Sequence, residues 1–235
     1  MRPFDDILIH DELEKCPYLP ERVARMPLHV PTSEVNAVDT DQRLAAGQRR
    51  TGDFVYQTKC PNCNACQSIR IPVDEFVMDR TMRRTKRRND QLLEMDVGRV
   101  QCDQERAQLF NLHRKTRGLG QSSNQIDPDD YQWAFGRTCF DTFEIAYRLN
   151  GELVCLAIVD QGDQAISAVY TFYDPLQPKL SLGTYSILKQ IEFCQHNNKR
   201  YLYLGFFIGE CKHMTYKARF LPHERLINGD WHRFE

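Results

Sequence analysis

The stretch FEIAYRLNGELVCLAIV, residues 143–159, decides how this chain folds. Two strand-forming runs, 143–149 and 152–159, flank Asn150-Gly151. Asn-Gly tolerates the positive φ that a type I′ turn needs at both central positions, so the runs should close into a tight hairpin. A second turn at Gln161-Gly162-Asp163 leads into a third strand, 164–173, which Asp174-Pro175 ends. Residues 183–196 then show helical spacing at Tyr185, Leu188 and Ile191 and stop at Asn197-Asn198. The apolar run 200–208 follows, too uniformly hydrophobic to lie at a sheet edge.

Three antiparallel strands, a helix and a further strand make a crossover that leaves the last strand parallel to the third. That order is the core of the GCN5-related acyltransferase fold, in which the third and fourth strands splay and the acyl donor lies in the gap. The expected class is therefore α+β, with an acyltransferase-like C-terminal domain at 99–235 and a smaller cysteine-containing domain at 1–98. Coenzyme A users of this fold cradle phosphates on a glycine-rich loop where the central helix starts. Here that position reads Ser181-Leu-Gly-Thr-Tyr-Ser186, with a single glycine and no basic-x-x-Gly-x-Gly pattern, so no coenzyme A is expected.

Working toward the N-terminus, Asp127-Pro128 should cap a short helix at 129–135, and Asp103 and Gly118 should bound a helix at 104–117, with a flexible loop at 118–123. Residues 91–97 read as a strand. Six of the nine residues from Arg80 to Arg88 are basic, and as a helix this run would carry charge around nearly its whole circumference. It hides within a net charge of −1. Before residue 77 the chain has little periodicity and many turn formers, with short strands at 53–58 and 68–73 on either side of Cys60, Cys63 and Cys66. These three thiols, with Cys16 as a distant fourth, suit a structural metal, zinc in preference to an iron–sulfur cluster. No run approaches the ~20 apolar residues of a membrane span. The start lacks a basic-then-apolar leader, which places the chain in the cytoplasm with no membrane partner.

Longer motifs carry a resemblance. Ala168-Val-Tyr-Thr-Phe-Tyr-Asp174-Pro175 with Leu180-Ser-Leu-Gly-Thr-Tyr-Ser186, then Tyr201-Leu-Tyr-Leu-Gly-Phe-Phe-Ile208, resembles the C-terminal part of aminoacyl-tRNA–protein transferases. So do Cys211-Lys-His-Met214-x-Tyr216-Lys217 and Phe220-x-Pro222-x-Glu224. Cys16-x-Tyr18-Leu19, Cys60-Pro-x-Cys63-x-x-Cys66 and Met82-Arg-Arg-x-x-Arg87-Arg88-Asn89 agree in the N-terminal half. The chain is most similar to the bacterial branch that moves leucine from leucyl-tRNA onto proteins beginning with Asp or Glu, marking them as N-degrons. Eukaryotic relatives carry arginine and have a paired-cysteine element from which Cys16-Pro-Tyr-Leu19 departs.

This resemblance implies an enzyme with modest catalytic demands. The aminoacyl ester is already activated, and the attacking α-amine has a pKa near ~7.7–8.0. Orientation of amine against ester could supply roughly 7–11 kcal/mol, and each good backbone donor to the oxyanion roughly 3–4 kcal/mol. Asp174 and Tyr203 are the candidate proton-handling groups. Tyr170, Tyr173, Ser181, Leu182, Gly183, Tyr185, Ser186 and Tyr216 are candidates for holding the aminoacyl end of the tRNA. Arg83, Arg84, Arg87 and Arg88 would neutralise tRNA phosphates, and His113 to Arg117 would assist them. The cation reading an acidic acceptor is to be found among Arg70, Lys212, Lys217 and Arg219. Three other readings stay open: an arginyl-tRNA donor, a coenzyme A-dependent acetyltransferase, and a metal-stabilised RNA-binding module.

Overall fold

A computed structural model describes residues 4–118 and 125–235; most of the loop expected at 118–123 lies outside them. In the first third, short strands β1 (Asp6–His10), β2 (Leu13–Lys15), β3 (Val23–Arg25) and β4 (Leu28–Pro31) precede helix α1 (Ala37–Ala45). Then come β5 (Arg49–Thr51), β6 (Phe54–Tyr56), β7 (Gln67–Pro72), α2 (Arg80–Asn89) and β8 (Leu93–Arg99). The remainder is α3 (Gln104–Arg117), α4 (Pro128–Tyr131), β9 (Thr142–Leu149), β10 (Glu152–Gln161), β11 (Ala165–Tyr173), α5 (Leu182–His196), β12 (Tyr201–Phe207), β13 (His223–Ile227) and β14 (Asp230–Phe234). Among the described residues, no helix is long and apolar enough to cross a membrane.

The expected core is present. Asn150 and Gly151 both take positive φ, as the type I′ turn requires, and β9 and β10 pair antiparallel across them. β10 pairs antiparallel with β11, and α5 carries the chain back to β12, which lies parallel to β11. Asp103 caps α3 by accepting from the Arg106 N–H, and Gly118 closes it in the left-handed region. The helix expected at 129–135 is a single α-turn that widens into a π-helical turn at Gln132–Gly136.

The larger sheet has eight strands in the order β14-β13-β7-β12-β11-β10-β9-β8. The expected division at residue 98 therefore corresponds to no break: it falls inside β8, which pairs with β9, while β7 sits between β12 and β13. The first third is also more ordered than its composition implies. A four-stranded sheet, β1-β4-β6-β5, and α1 with its Asn36 cap form a compact layer.

Strand alternation separates the two faces. Val154, Cys155, Ala157 and Val159 of β10 pack with α5 and α2, around Tyr185, Leu188 and Met82. Leu153, Leu156 and Ile158 face the other way, onto Ala107 and Phe110 of α3 and Tyr131 of α4. Further along that second face, α1 and the small sheet cover Ala165, Tyr203 and Trp231 through Leu44. Two buried bidentate pairs brace this packing, one between the layers and one within the N-terminal layer. Arg50 on β5 binds Asp160 on β10 at 2.8 Å through both Nε and a terminal nitrogen. Arg43 on α1 binds Asp6 at 2.7 Å twice.

Candidate active site

β11 and β12 pair only at Ala165↔Tyr201, Ile166↔Leu202 and Ser167↔Tyr203, then part. The parting is written into β12: Gly205 takes φ +82°, and the register against β7 shifts between Tyr203 and Phe206. Beyond Ser167 the facing edges of the two strands lack each other as hydrogen-bond partners. A cleft with free backbone groups on its walls follows.

On the α5 side the cleft ends at a helix start of unusual build. Ser181 takes φ +50° and makes no side-chain cap, so the first N–H groups of α5 have no capping side chain. Gly183 lies against the Tyr173 ring, where an added Cβ would come within 3.1 Å. Tyr173 is itself fixed: its hydroxyl accepts from Arg117 at 2.9 Å, and His113 Nδ1 meets its backbone.

On the opposite side, the N-terminal layer delivers Arg49. Its guanidinium donates to Ser167 Oγ at 3.3 Å, lies 5.9 Å from the Phe206 ring, and occupies the notch that Gly205 leaves. Tyr18 and Tyr56 meet the Phe206 ring edge-on. Lys217, buried, donates to the Phe206 carbonyl at 2.6 Å. Burial and the charge of Arg49 push its ammonium down to about 7.

The expected site residues divide between this cleft and the packed layers. Tyr173, Ser181 and Gly183 line the α5 end, and Tyr216 is half-exposed beyond them. Leu182, Tyr185 and Ser186, expected to hold the aminoacyl end, are instead buried between α5 and the sheet; the Tyr185 hydroxyl donates to Asp90 and Ser186 accepts from Gln190. Tyr170 packs among Phe110, Phe135 and Phe172. Asp174 and Tyr203 cannot share one reaction centre. Tyr203 is in register with Ser167, whereas Asp174 lies roughly 23 Å further along the strand direction. Each is also occupied: Asp174 accepts from the Leu176 N–H in a turn, and the buried Tyr203 hydroxyl accepts from Arg70.

Of the expected acceptor cations, Arg70 is sandwiched between Tyr201 and Trp231 at 3.9 and 4.0 Å and paired with Glu224 at 2.6 Å. Lys212 is exposed, and Arg219 pairs with Asp79 on the surface. Lys217 alone of the four reaches the cleft. Arg49, which lines the same cleft, carries no motif that would have marked it in the sequence.

The basic run is a helix, α2, but not charged all round. Met82, Thr85 and Asn89 form a buried stripe, and Asn89 anchors it by donating to the Leu180 carbonyl at 2.6 Å. Arg83, Arg84 and Arg87 face solvent, and Arg88 is half-buried beside Asn89. The anchoring contact brings the end of α2 to the start of α5, so the exposed arginines approach the cleft mouth. Reversing Arg84 and Arg87 to Glu should raise KM for aminoacyl-tRNA and lower the slope of log affinity against log salt by roughly 2. A slope unchanged from the parent would remove α2 from the RNA surface.

The cysteines expected to bind metal, Cys16, Cys60, Cys63 and Cys66, are free thiols in one corner of the N-terminal layer. Cys16 accepts from the Leu19 N–H, Cys60 from the Arg25 N–H, and Cys63 from the Arg22 guanidinium, all at 3.3–3.4 Å. Burial and the neighbouring thiols push Cys66 up to about 12. Four sulfurs, three of them accepting from N–H donors, are the ligand chemistry a thiophilic metal takes. Among the described residues, however, no three potential ligands already converge at metal-binding separations.

A strand splay facing a helix start, with no phosphate loop and a basic helix at its mouth, defines an acyl-transferring enzyme that handles a polyanionic donor. The chain belongs to the arginine-tRNA-protein transferase family: residues 14–84 match that family's N-terminal sequence model and residues 105–227 its C-terminal one. It is 37% identical over 219 residues to an aspartate/glutamate leucyltransferase of Pseudoalteromonas atlantica, covering 92% of each chain. It is 34% identical over 220 residues to the enzyme of the same name from Thiobacillus denitrificans, covering 94% of this chain and 91% of that one. The crystal structure of FemX is similar with a TM-score of 0.48 and 10% identity, over 80% of this chain and 64% of that one.

Proposed function

We propose that this enzyme transfers leucine from leucyl-tRNA to the N-terminal α-amine of proteins that begin with Asp or Glu, marking them for degradation. The observation that carries the reading is the charge of the cleft. Arg49 and Lys217 both enter it, and among the described residues no carboxylate is paired with either. A positive cleft favours an acceptor with an acidic first residue and disfavours an arginyl donor. The full-length likeness to leucyltransferases supports the same choice.

The α-amine attacks the ester carbonyl, the carbon–oxygen bond to the ribose breaks, and the amine proton passes to the departing hydroxyl or to water. Backbone groups left unpaired by the splay are available to the oxyanion. Positioning supplies most of the acceleration, and no covalent nucleophile is required. In this reading the reaction runs where charged tRNA is found, in the cytoplasm. Cys16, Cys60, Cys63 and Cys66 would hold a structural zinc, which would tie two loops of the N-terminal layer together and supply no chemistry to transfer.

The test offers leucyl-tRNA and arginyl-tRNA separately, with peptides differing only in a first residue of Asp, Glu or Ala. Labelled leucine should accumulate on the Asp and Glu peptides. Arginine transfer at equal or higher rates would replace this reading with that of an arginyltransferase.

A further inference from the structure

Three arginines of the N-terminal layer enter the interface with the large sheet, and two of them are matched. Arg43 has Asp6 and Arg50 has Asp160, each pair bidentate and each nearly excluded from water. Arg49, one residue from Arg50, has no carboxylate partner among the described residues. Among the described residues its guanidinium has a single hydrogen bond, to the Ser167 hydroxyl at the point where β11 and β12 part.

The surroundings also favour an anion. Lys217, with its Nζ on the Phe206 carbonyl, adds a second basic group to the same pocket. Gly205 is what makes room: any Cβ there would come within 3.2 Å of an Arg49 terminal nitrogen, in a backbone conformation other residues avoid. A guanidinium held in a notch by one neutral hydroxyl keeps most of its donors for a ligand, and a planar carboxylate matches its fork. Arg49 reaches the cleft from the layer opposite the α5 start, so donor end and acceptor side chain can enter from different faces.

Resting on the leucyltransferase reading above, we infer that Arg49 is the specificity-determining residue, pairing with the side-chain carboxylate of the acceptor's first residue. Arg70, Lys212 and Arg219 are thereby released from that role, and Lys217 contributes field rather than a bidentate contact.

The test measures leucine transfer to peptides beginning with Asp or with its uncharged isostere Asn, in the parent, Arg49→Gln and Arg49→Lys. In Arg49→Gln, kcat/KM for the Asp peptide should fall about 100-fold, the preference for Asp over Asn should vanish, and KM for leucyl-tRNA should hold within about 2-fold. Arg49→Lys should keep the preference at about 10-fold lower kcat/KM, because charge remains and the fork is lost. Retained Asp preference in Arg49→Gln overturns the assignment, as does a loss expressed as a higher KM for leucyl-tRNA, which would put a tRNA phosphate on Arg49. If Arg49→Gln fails to melt cooperatively, Arg49→Lys decides: parental kcat/KM on the Asp peptide overturns the assignment. A parent that transfers no leucine would overturn the proposed function itself, an outcome distinct from any of these.

Discussion

Asp160→Ala should destabilise the protein by about 3–5 kcal/mol, because it strands the Arg50 guanidinium in a water-excluded interface. The pair is 2% and 5% exposed, bidentate at 2.8 Å, and braced by Thr142 donating to the same carboxylate at 2.7 Å. It joins β5 of the small sheet to β10 of the large one, so the loss falls on the contact that holds Arg49 at the cleft. Urea denaturation measures it. Replacing both partners, Arg50→Met with Asp160→Leu, should recover most of the stability, since an apolar pair carries no desolvation cost. A loss below about 1 kcal/mol in Asp160→Ala would mean that water reaches Arg50 and that the layers are not locked there.

Lys217→Met should make the protein more stable, and the gain should depend on pH. A lysine pushed from its ordinary value of 10.5 to about 7 by burial and by Arg49 costs roughly 4–5 kcal/mol wherever the folded protein must carry it charged. Losing its bond to the Phe206 carbonyl returns about 1 kcal/mol of that. The net expectation at pH 6.5 is a gain on the order of 3 kcal/mol. Above about pH 7 the folded state releases the proton while the unfolded state keeps it, so the parent gains stability as pH rises toward 10. The variant's advantage should shrink across that window. Melting temperatures of both proteins from pH 6 to 10 check the sign, and a Met variant less stable at pH 6.5 would show that the ammonium is compensated in the fold.

A basic residue held near neutrality beside a fixed guanidinium is a costly arrangement for structure alone. Its presence where β11 and β12 part fits a pocket whose charge is completed by substrate. The same reasoning separates Arg49 from Arg70, whose charge is met by Glu224 and two aromatic faces.

What could be read from the sequence was local. Asn150-Gly151 dictates its turn chemically, Asp103 and Gly118 bound α3, and the apolar run of β12 requires neighbours on both sides. What could not be read was set by distant partners. β7 owes its place to β12 and β13, with Arg70 in register with both Tyr203 and Glu224. Strands of three or four residues, such as β2 to β5, show too few alternations to announce themselves. Helix α1 is absent from the sequence expectations although Asn36 caps it in the ordinary way, its side chain accepting from the Asp39 N–H.

The site follows the same division. Splay, helix start and basic helix come from the order of elements, and all three are present. Asp174 and Tyr203 looked like neighbours because their strands adjoin, but a parallel crossover sets Tyr203 beside Ser167, far from the strand's end. Arg43, Arg49 and Arg50 look equivalent along the chain. Only the folded protein shows that Asp6 and Asp160 satisfy two of them, while among the described residues no carboxylate meets the third.

The most direct measurement is mass spectrometry of an Asp-initiated peptide after incubation with the enzyme and leucyl-tRNA, alongside the same peptide with its α-amine acetylated. The free peptide should gain one leucyl residue, located by fragmentation at its N-terminus, and the acetylated peptide should gain nothing. Leucine on a side chain, leucylation of the acetylated peptide, or no leucine on either would contradict α-amine transfer in this cleft.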